Sequence, residues 1–141
     1  MSVSYAGTAT ISGEGRNGGR VRSSDGELDV SLPIPKESGG AGGATNPGQL
    51  FAAGWGACFL GAVRRAAARC KIVLKSTAVT VNATLTHGED GEFNLSAVLN
   101  VELGGVGQST AGELAHAAHL LCPYSKATRN NIPVIINTTA V

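Results

Sequence analysis

The stretch Thr45-Asn-Pro-Gly-Gln-Leu-Phe-Ala-Ala-Gly-Trp-Gly-Ala-Cys-Phe-Leu-Gly-Ala-Val-Arg-Arg-Ala-Ala-Ala-Arg69 decides the architecture of this chain. Asn46 suits an N-cap, Pro47 the first helical position and Gln49 the third. Arg64, Arg65 and Arg69 crowd the C-terminal part, where cations meet the negative end of the helix dipole. Between these ends lie mostly Gly, Ala and large apolar residues. A helix that is apolar nearly all round is a buried one. The spacing therefore predicts one long helix to about Arg69, at the centre of the fold.

Working outward from that helix, the N-terminal side reads as strands. Ser4 to Ser12 alternates loosely, Gly13 to Gly19 is a turn cluster, and Arg20 to Ser24 follows as a second strand. A third strand, Glu27 to Leu32, comes after Asp25-Gly26 and ends at Pro33 and Pro35; Ser38 to Ala44 is a Gly-rich loop. On the other side, Ser76 to Thr86 carries Val79, Val81 and Leu85 on alternate positions. Glu89-Asp-Gly91 turns the chain, and Glu92 to Leu103 returns with Phe93, Leu95, Ala97, Leu99 and Val101 in period two. A second helix is predicted from about Ser109 to Leu121, stopped by Pro123, and a last strand over Ile132 to Thr139. Strands and helices do not alternate one for one, so the fold class is α+β, one domain over residues 1–141.

The composition narrows the function classes. A chain of 141 residues with 43% hydrophobic and 15% charged residues is globular. A net charge of +1 gives no electrostatic footprint for nucleic acid. No apolar run reaches the roughly 18 residues of a membrane helix. Met1 to Gly7 lacks the layout of a signal peptide, so a cytoplasmic location is the default expectation. The three cysteines are an odd number, unlike a secreted disulfide scaffold. In a reducing compartment a disulfide is more often catalytic or sensing than structural.

Two of those cysteines stand beside signals that fix the local backbone. Cys58 lies within the long helix, and Cys122 in His119-Leu-Leu-Cys-Pro-Tyr-Ser125. They have the look of a redox pair assembled by folding. Cys70, at the helix end, is expected to be a small buried hydrophobe. At 100° per residue Phe51, Trp55, Cys58 and Ala62 share a face, with Gly54 and Gly61 as small neighbours that let another backbone or a ligand approach. A reactive Cys58 needs a cation, because the thiolate is the nucleophile and burial raises its pKa. Arg65, on the same face, and Arg20, with Arg22 beside it in period two, are the candidates, and the residues alone do not choose between them. His116, His119 and Cys122 lack a fourth ligand, and the step from His116 to Cys122 turns too far round a helix. No metal and no cofactor is expected. Gly39-Gly40 and Gly42-Gly43 do not have a phosphate-cradling spacing.

Taken in order, Arg20-Val-Arg-Ser-Ser-Asp25, Glu27-Leu-Asp-Val30, Gly39-Gly-Ala-Gly-Gly43, Thr45-Asn-Pro-x-Gln-Leu-Phe-Ala-Ala-Gly54, Ala57-Cys-Phe59 and Cys122-Pro-Tyr-Ser-x-Ala-Thr-Arg129 resemble the organic hydroperoxide resistance (Ohr) branch of the OsmC/Ohr family. The match runs over nearly the whole chain. The resemblance implies an OsmC-like fold, antiparallel sheets packed around two central helices in an intertwined homodimer. It also implies an antioxidant thiol peroxidase for alkyl and lipid hydroperoxides, recycled by dihydrolipoamide or a lipoylated protein. By the family's pattern Cys58 is the peroxidatic cysteine, Cys122 the resolving cysteine and Arg20 the cation that holds the thiolate. Phe51, Trp55 and Phe59 are the candidate walls of a substrate pocket. The family's Thr-Asn-Pro-Glu-Gln motif reads Thr45-Asn-Pro-Gly-Gln49 here, and that Glu normally pairs with the catalytic arginine. With Gly48 in its place Arg20 is expected to be loosely held, with Glu37 and Asp25 the substitute acids to consider. The alternative is a redox sensor or lipophile-binding member with weakened turnover.

Overall fold

The computed structural model of the chain describes residues Met1–Val141. It contains two compact units, Met1–Leu50 and Phe51–Val141.

The first unit is built on an antiparallel meander of β1 (Ala9–Ser12), β2 (Gly19–Ser23) and β3 (Asp29–Leu32). β2 is the central strand, with Val21 opposite Ile11 on one side and Val30 on the other. β1 is shorter than its alternation suggests. β2 ends at Ser23, so the ladder stops at Ala9, with one further bond from the Ser24 N–H to the Thr8 carbonyl at 2.9 Å. The turn at Asp25 is held by side chains: the Ser23 hydroxyl donates to Asp25 (2.6 Å), and the Glu27 and Leu28 N–H groups donate to Asp25 and Ser23 (3.0 and 2.9 Å). Gly19 opens β2 where no other residue fits, since a Cβ would lie 2.4 Å from the Ser12 carbonyl oxygen.

α1 (Pro47–Arg69) has the predicted bounds. Asn46 caps it by accepting the Gln49 N–H at 2.9 Å, and the Thr45 hydroxyl donates to the Gln49 side chain at 2.8 Å. Its buried residues, Trp55, Phe59, Ala62, Val63, Ala66 and Ala67, form one stripe at helical spacing. The helix is not buried all round as its composition suggests. Ala53, Ala57, Gly61 and Ala68 face outward and are exposed in the single chain.

In the second unit β4 (Ser76–His87) and β5 (Phe93–Gly104) form a long antiparallel hairpin. β5 is central and buries Ala97, Leu99, Val101 and Leu103 in period two. α2 (Gln108–Leu121), the short α3 (Pro123–Thr128) and β6 (Val134–Ala140) complete the unit. β6 joins β5 in parallel, so this sheet is mixed where the expectation was antiparallel. The reason is the connection: a strand that returns through helices on one face of a sheet comes back in the same direction. Gln108 ties α2 to that strand, donating to the Thr138 carbonyl (2.7 Å) and accepting the Ala140 N–H (2.9 Å). The α1 stripe, the inner face of β5 and Ala111, Leu114, Ala115, Ala118 and Cys122 make one core. No helix is long and apolar enough to cross a membrane. The class is α+β, as the element order predicts.

Candidate active site

Cys58 sits half-buried on α1, and Cys122 is fully buried at the break between α2 and α3. That break follows from the sequence. Pro123 cannot continue α2, because it has no N–H, yet its fixed φ suits the first position of a new helix. Cys122 is therefore both the end of α2 and the cap of α3, with an extended backbone (φ −62°, ψ 121°). Its N–H still donates to the Ala118 carbonyl at 2.8 Å, and its carbonyl accepts the Lys126 N–H at 3.0 Å. The pivot is thus pinned from both sides.

The two sulfurs are 3.2 Å apart, with the Cys122 thiol directed at Cys58. Both are free thiols. A separation of 64 positions in sequence is bridged by packing alone. Burial pushes the Cys58 thiol above its ordinary value; the Tyr124 backbone N–H pulls it the other way, and the adjoining Cys122 thiol adds to the rise. Gly54, one turn before Cys58, meets the ring of Tyr124, and a Cβ there would lie 3.2 Å from the ring edge. The small residue expected to admit a close neighbour admits this tyrosine.

The three aromatics nominated for a substrate wall separate. Phe51 is half-buried and meets Trp55 edge-on, with ring centroids 5.7 Å apart. Trp55 and Phe59 are fully buried, because positions 55 and 59 fall on the inward stripe, and in the single chain they offer a substrate no surface. Trp55 instead donates its indole N–H to the Ser125 hydroxyl at 3.1 Å, both residues being fully buried. Sequence reasoning missed Ser125, although it stands in the same motif as Cys122. The second histidine of that motif's helix is also placed: Arg129 donates to the His119 carbonyl, and His119 Nδ1 and Arg129 Nε are buried without partners.

Cys70 is exposed at the end of α1, not buried as expected. It lies twelve residues past Cys58 on one helix, about 18 Å along the axis, so it cannot reach that sulfur. His116 is exposed, and no three His, Cys, Asp or Glu side chains come together as metal ligands. Arg64 donates to the Thr77 hydroxyl at 3.2 Å, and Arg65 is exposed.

Arg20, in the first unit, is not loosely held. Its guanidinium forks onto the Asp29 carboxylate with bonds of 2.6 and 2.7 Å. Arg22 stands directly opposite Asp29 in the β2–β3 ladder and Arg20 is diagonal to it, within reach of a long side chain. Arg20 holds the Asp29 carboxyl below the usual range. The expectation of a free arginine, or of Glu37 or Asp25 as substitutes, thus gives way to an acid on the neighbouring strand. Asp25 is spent on its own turn.

A model of the OsmC-like protein family matches residues 39–137. An uncharacterised protein of Acinetobacter baylyi is 46% identical over 90% of this chain and 89% of its own length. The organic hydroperoxide resistance protein of Xanthomonas axonopodis pv. citri is 43% identical, covering 95% of this chain and 94% of that one. Among solved structures, an organic hydroperoxide resistance protein from Legionella pneumophila superposes with a TM-score of 0.91 at 40% identity, over 98% of this chain and 99% of that one.

Proposed function

This chain belongs to the OsmC-like family, in its organic hydroperoxide resistance branch, and from that premise we propose that it is a cysteine peroxidase reducing organic hydroperoxides to alcohols. The observation that carries the reading is the 3.2 Å separation of the Cys58 and Cys122 sulfurs. Cys58, the half-buried member, is the peroxidatic thiol, and the buried Cys122 resolves it.

The Cys58 thiolate attacks the distal oxygen of the hydroperoxide. The O–O bond breaks, the alkoxide takes a proton and leaves as the alcohol, and Cys58 becomes a sulfenic acid. Cys122 then attacks the Cys58 sulfur as a thiolate. An S–S bond forms, the S–O bond breaks, and hydroxide leaves as water with a proton. Two thiols have supplied the two electrons that the peroxide needs. A dithiol such as dihydrolipoamide, free or on a lipoylated protein, reopens the disulfide by exchange through a mixed disulfide.

Arg20 is the cation assigned to the Cys58 thiolate. It stays charged at every relevant pH and presents a rigid fork, which Asp29 already orients. A loose arginine would weaken turnover, whereas Arg20 here is paired with Asp29. Phe51 is the aromatic available to an alkyl substituent, and each buried CH₂ is worth about 0.8 kcal/mol. Bulky organic hydroperoxides are therefore preferred over hydrogen peroxide. The protein works as a homodimer of one-domain chains in the cytoplasm.

Steady-state consumption of cumene hydroperoxide with dihydrolipoamide tests the reading. Turnover should be lost in Cys58→Ser, and hydrogen peroxide should be the poorer substrate by orders of magnitude. Undiminished turnover in Cys58→Ser would refute it.

A further inference from the structure

The hydrogen bond between Trp55 and Ser125 has no part in the chemistry above, yet its place is specific. Trp55 precedes Cys58 by three residues on α1, and Ser125 follows Cys122 by three at the start of α3. Three residues is close to one helical turn, so each cysteine shares a helix face with its polar or aromatic neighbour. The two elements therefore meet at two adjacent rungs: Cys58 with Cys122 at 3.2 Å, and Trp55 with Ser125 at 3.1 Å. One turn of helix separates the rungs on each side. A third contact, the Tyr124 ring against Gly54, closes the same seam.

The Trp55–Ser125 rung lies wholly out of solvent. An indole N–H has a single donor, and burial leaves it no water to turn to. The alternative to this bond is an unpartnered buried donor, so the pairing specifies one setting of α3 against α1. The Thr128 hydroxyl stiffens the far end of α3, donating to the Tyr124 and Ser125 carbonyls at 3.0 and 3.1 Å. Cys122 hangs on the near end of that helix, as its cap residue. What fixes α3 fixes the Cys122 sulfur.

We propose that Trp55 and Ser125 are positioning residues whose hydrogen bond holds α3 in the register that keeps the Cys122 sulfur against Cys58, and so sets the rate of disulfide closure. The inference rests on the peroxidase reading and concerns its second step. Attack of the Cys122 thiolate on the Cys58 sulfur forms S–S, breaks S–O and releases hydroxide, which leaves as water on taking a proton; the bond from Trp55 keeps the attacking atom near the reacting one. Holding two reacting groups at contact converts a rare encounter into an effectively unimolecular step. The first step joins Cys58 and peroxide, with Arg20 as the proposed cation, and neither Trp55 nor Ser125 reacts in it.

Stopped-flow measurements separate the steps. Reaction with cumene hydroperoxide gives a first phase that scales with peroxide concentration and a second that does not. In Ser125→Ala the second phase should slow about tenfold, roughly the net worth of one buried hydrogen bond, while the first stays within about twofold. Ser125→Thr, which keeps the hydroxyl, should restore closure. Trp55→Phe should slow closure too, and the double variant should be no slower than Trp55→Phe alone, because both remove one bond. Unchanged closure in Ser125→Ala, equal loss in both phases, or additive effects of the two substitutions would each overturn the inference. A merely structural bond would lower the melting temperature without moving the ratio of the phases. If the parent protein reacts with peroxide but forms no Cys58–Cys122 disulfide, the peroxidase reading fails by itself. The rung is then read with diamide, whose Cys58 adduct Cys122 displaces to give the same disulfide and the reduced hydrazine. The same tenfold slowing is expected there, and its absence would sink the positioning role.

Discussion

Burial works against Cys58: it favours the neutral thiol, and only the Tyr124 N–H opposes it within its own surroundings. On the proposed reading the thiolate needs a cation from elsewhere, and the residue proposed for it, Arg20, is held by Asp29. Asp29→Asn should unseat the arginine and raise the apparent pKa of Cys58. Its reaction with peroxide at neutral pH should then slow, about tenfold for a pKa higher by one. Alkylation of Cys58 against pH and stopped-flow kinetics read both. Gly48→Glu should change little, because the fork is already occupied; a clear acceleration would return the role to the helix position. Asp29 was legible only in retrospect. Strand register decides which acid meets Arg20, and Asp25 and Glu37 are equally plausible partners by sequence. A second residue sets a pH dependence. His119 is pushed below its ordinary value by burial first, then by Arg129 and His116. In the unfolded chain it binds a proton near pH 6.5. Its contribution to stability is full above that value and is lost as pH falls through it towards the depressed folded value. The urea midpoint should drop over this acid range, and His119→Gln should remove part of the drop. An unaltered pH profile in that variant would count against the assignment.

At the scale of elements, α1 shows what a sequence can and cannot say. Asn46, Pro47 and Arg69 mark its ends because capping is local chemistry, and the predicted bounds hold. Its composition of Gly and Ala suggests burial on every side, but one face stays open in the single chain. Ala53, Gly56, Ala57 and Leu60 line a shallow groove there with Val79 and Val81 of β4. A second copy of the chain is the proposed cover. Light scattering at micromolar concentration should report about twice the 14.2 kDa of one chain, and Ala57→Glu, which sets a charge on that face, should reduce it to one with the helix content kept. A mass of one chain for the parent, or a dimer that tolerates the glutamate, would contradict this. α3 escaped prediction because Pro123 carries two meanings, an end for α2 and a beginning for α3. The parallel seating of β6 escaped for another reason. Periodicity gives a strand its faces but not its direction, and direction came from the helical return.

For the whole molecule, most of the secondary structure was readable because caps, turns and alternation are short-range. The site was readable only as two cysteine motifs. Distances between parts remote in sequence were not, and Trp55 and Ser125, 70 residues apart, carry no local sign of each other. The single domain expected over residues 1–141 is a claim about cooperativity, and calorimetry tests it: one unfolding transition should be seen, with calorimetric and van't Hoff enthalpies equal. Two separated transitions would make the units independent. The proposed chemistry stands on the thiol pair. Reduced protein should be treated with one equivalent of cumene hydroperoxide per chain, quenched with an alkylating agent, digested without reduction and examined by mass spectrometry. The prediction is loss of two thiols per chain, one cumyl alcohol formed, Cys58 and Cys122 peptides joined within one chain, and Cys70 alkylated. A Cys70 linkage, or peroxide consumed with Cys58 and Cys122 both still alkylated, would contradict it.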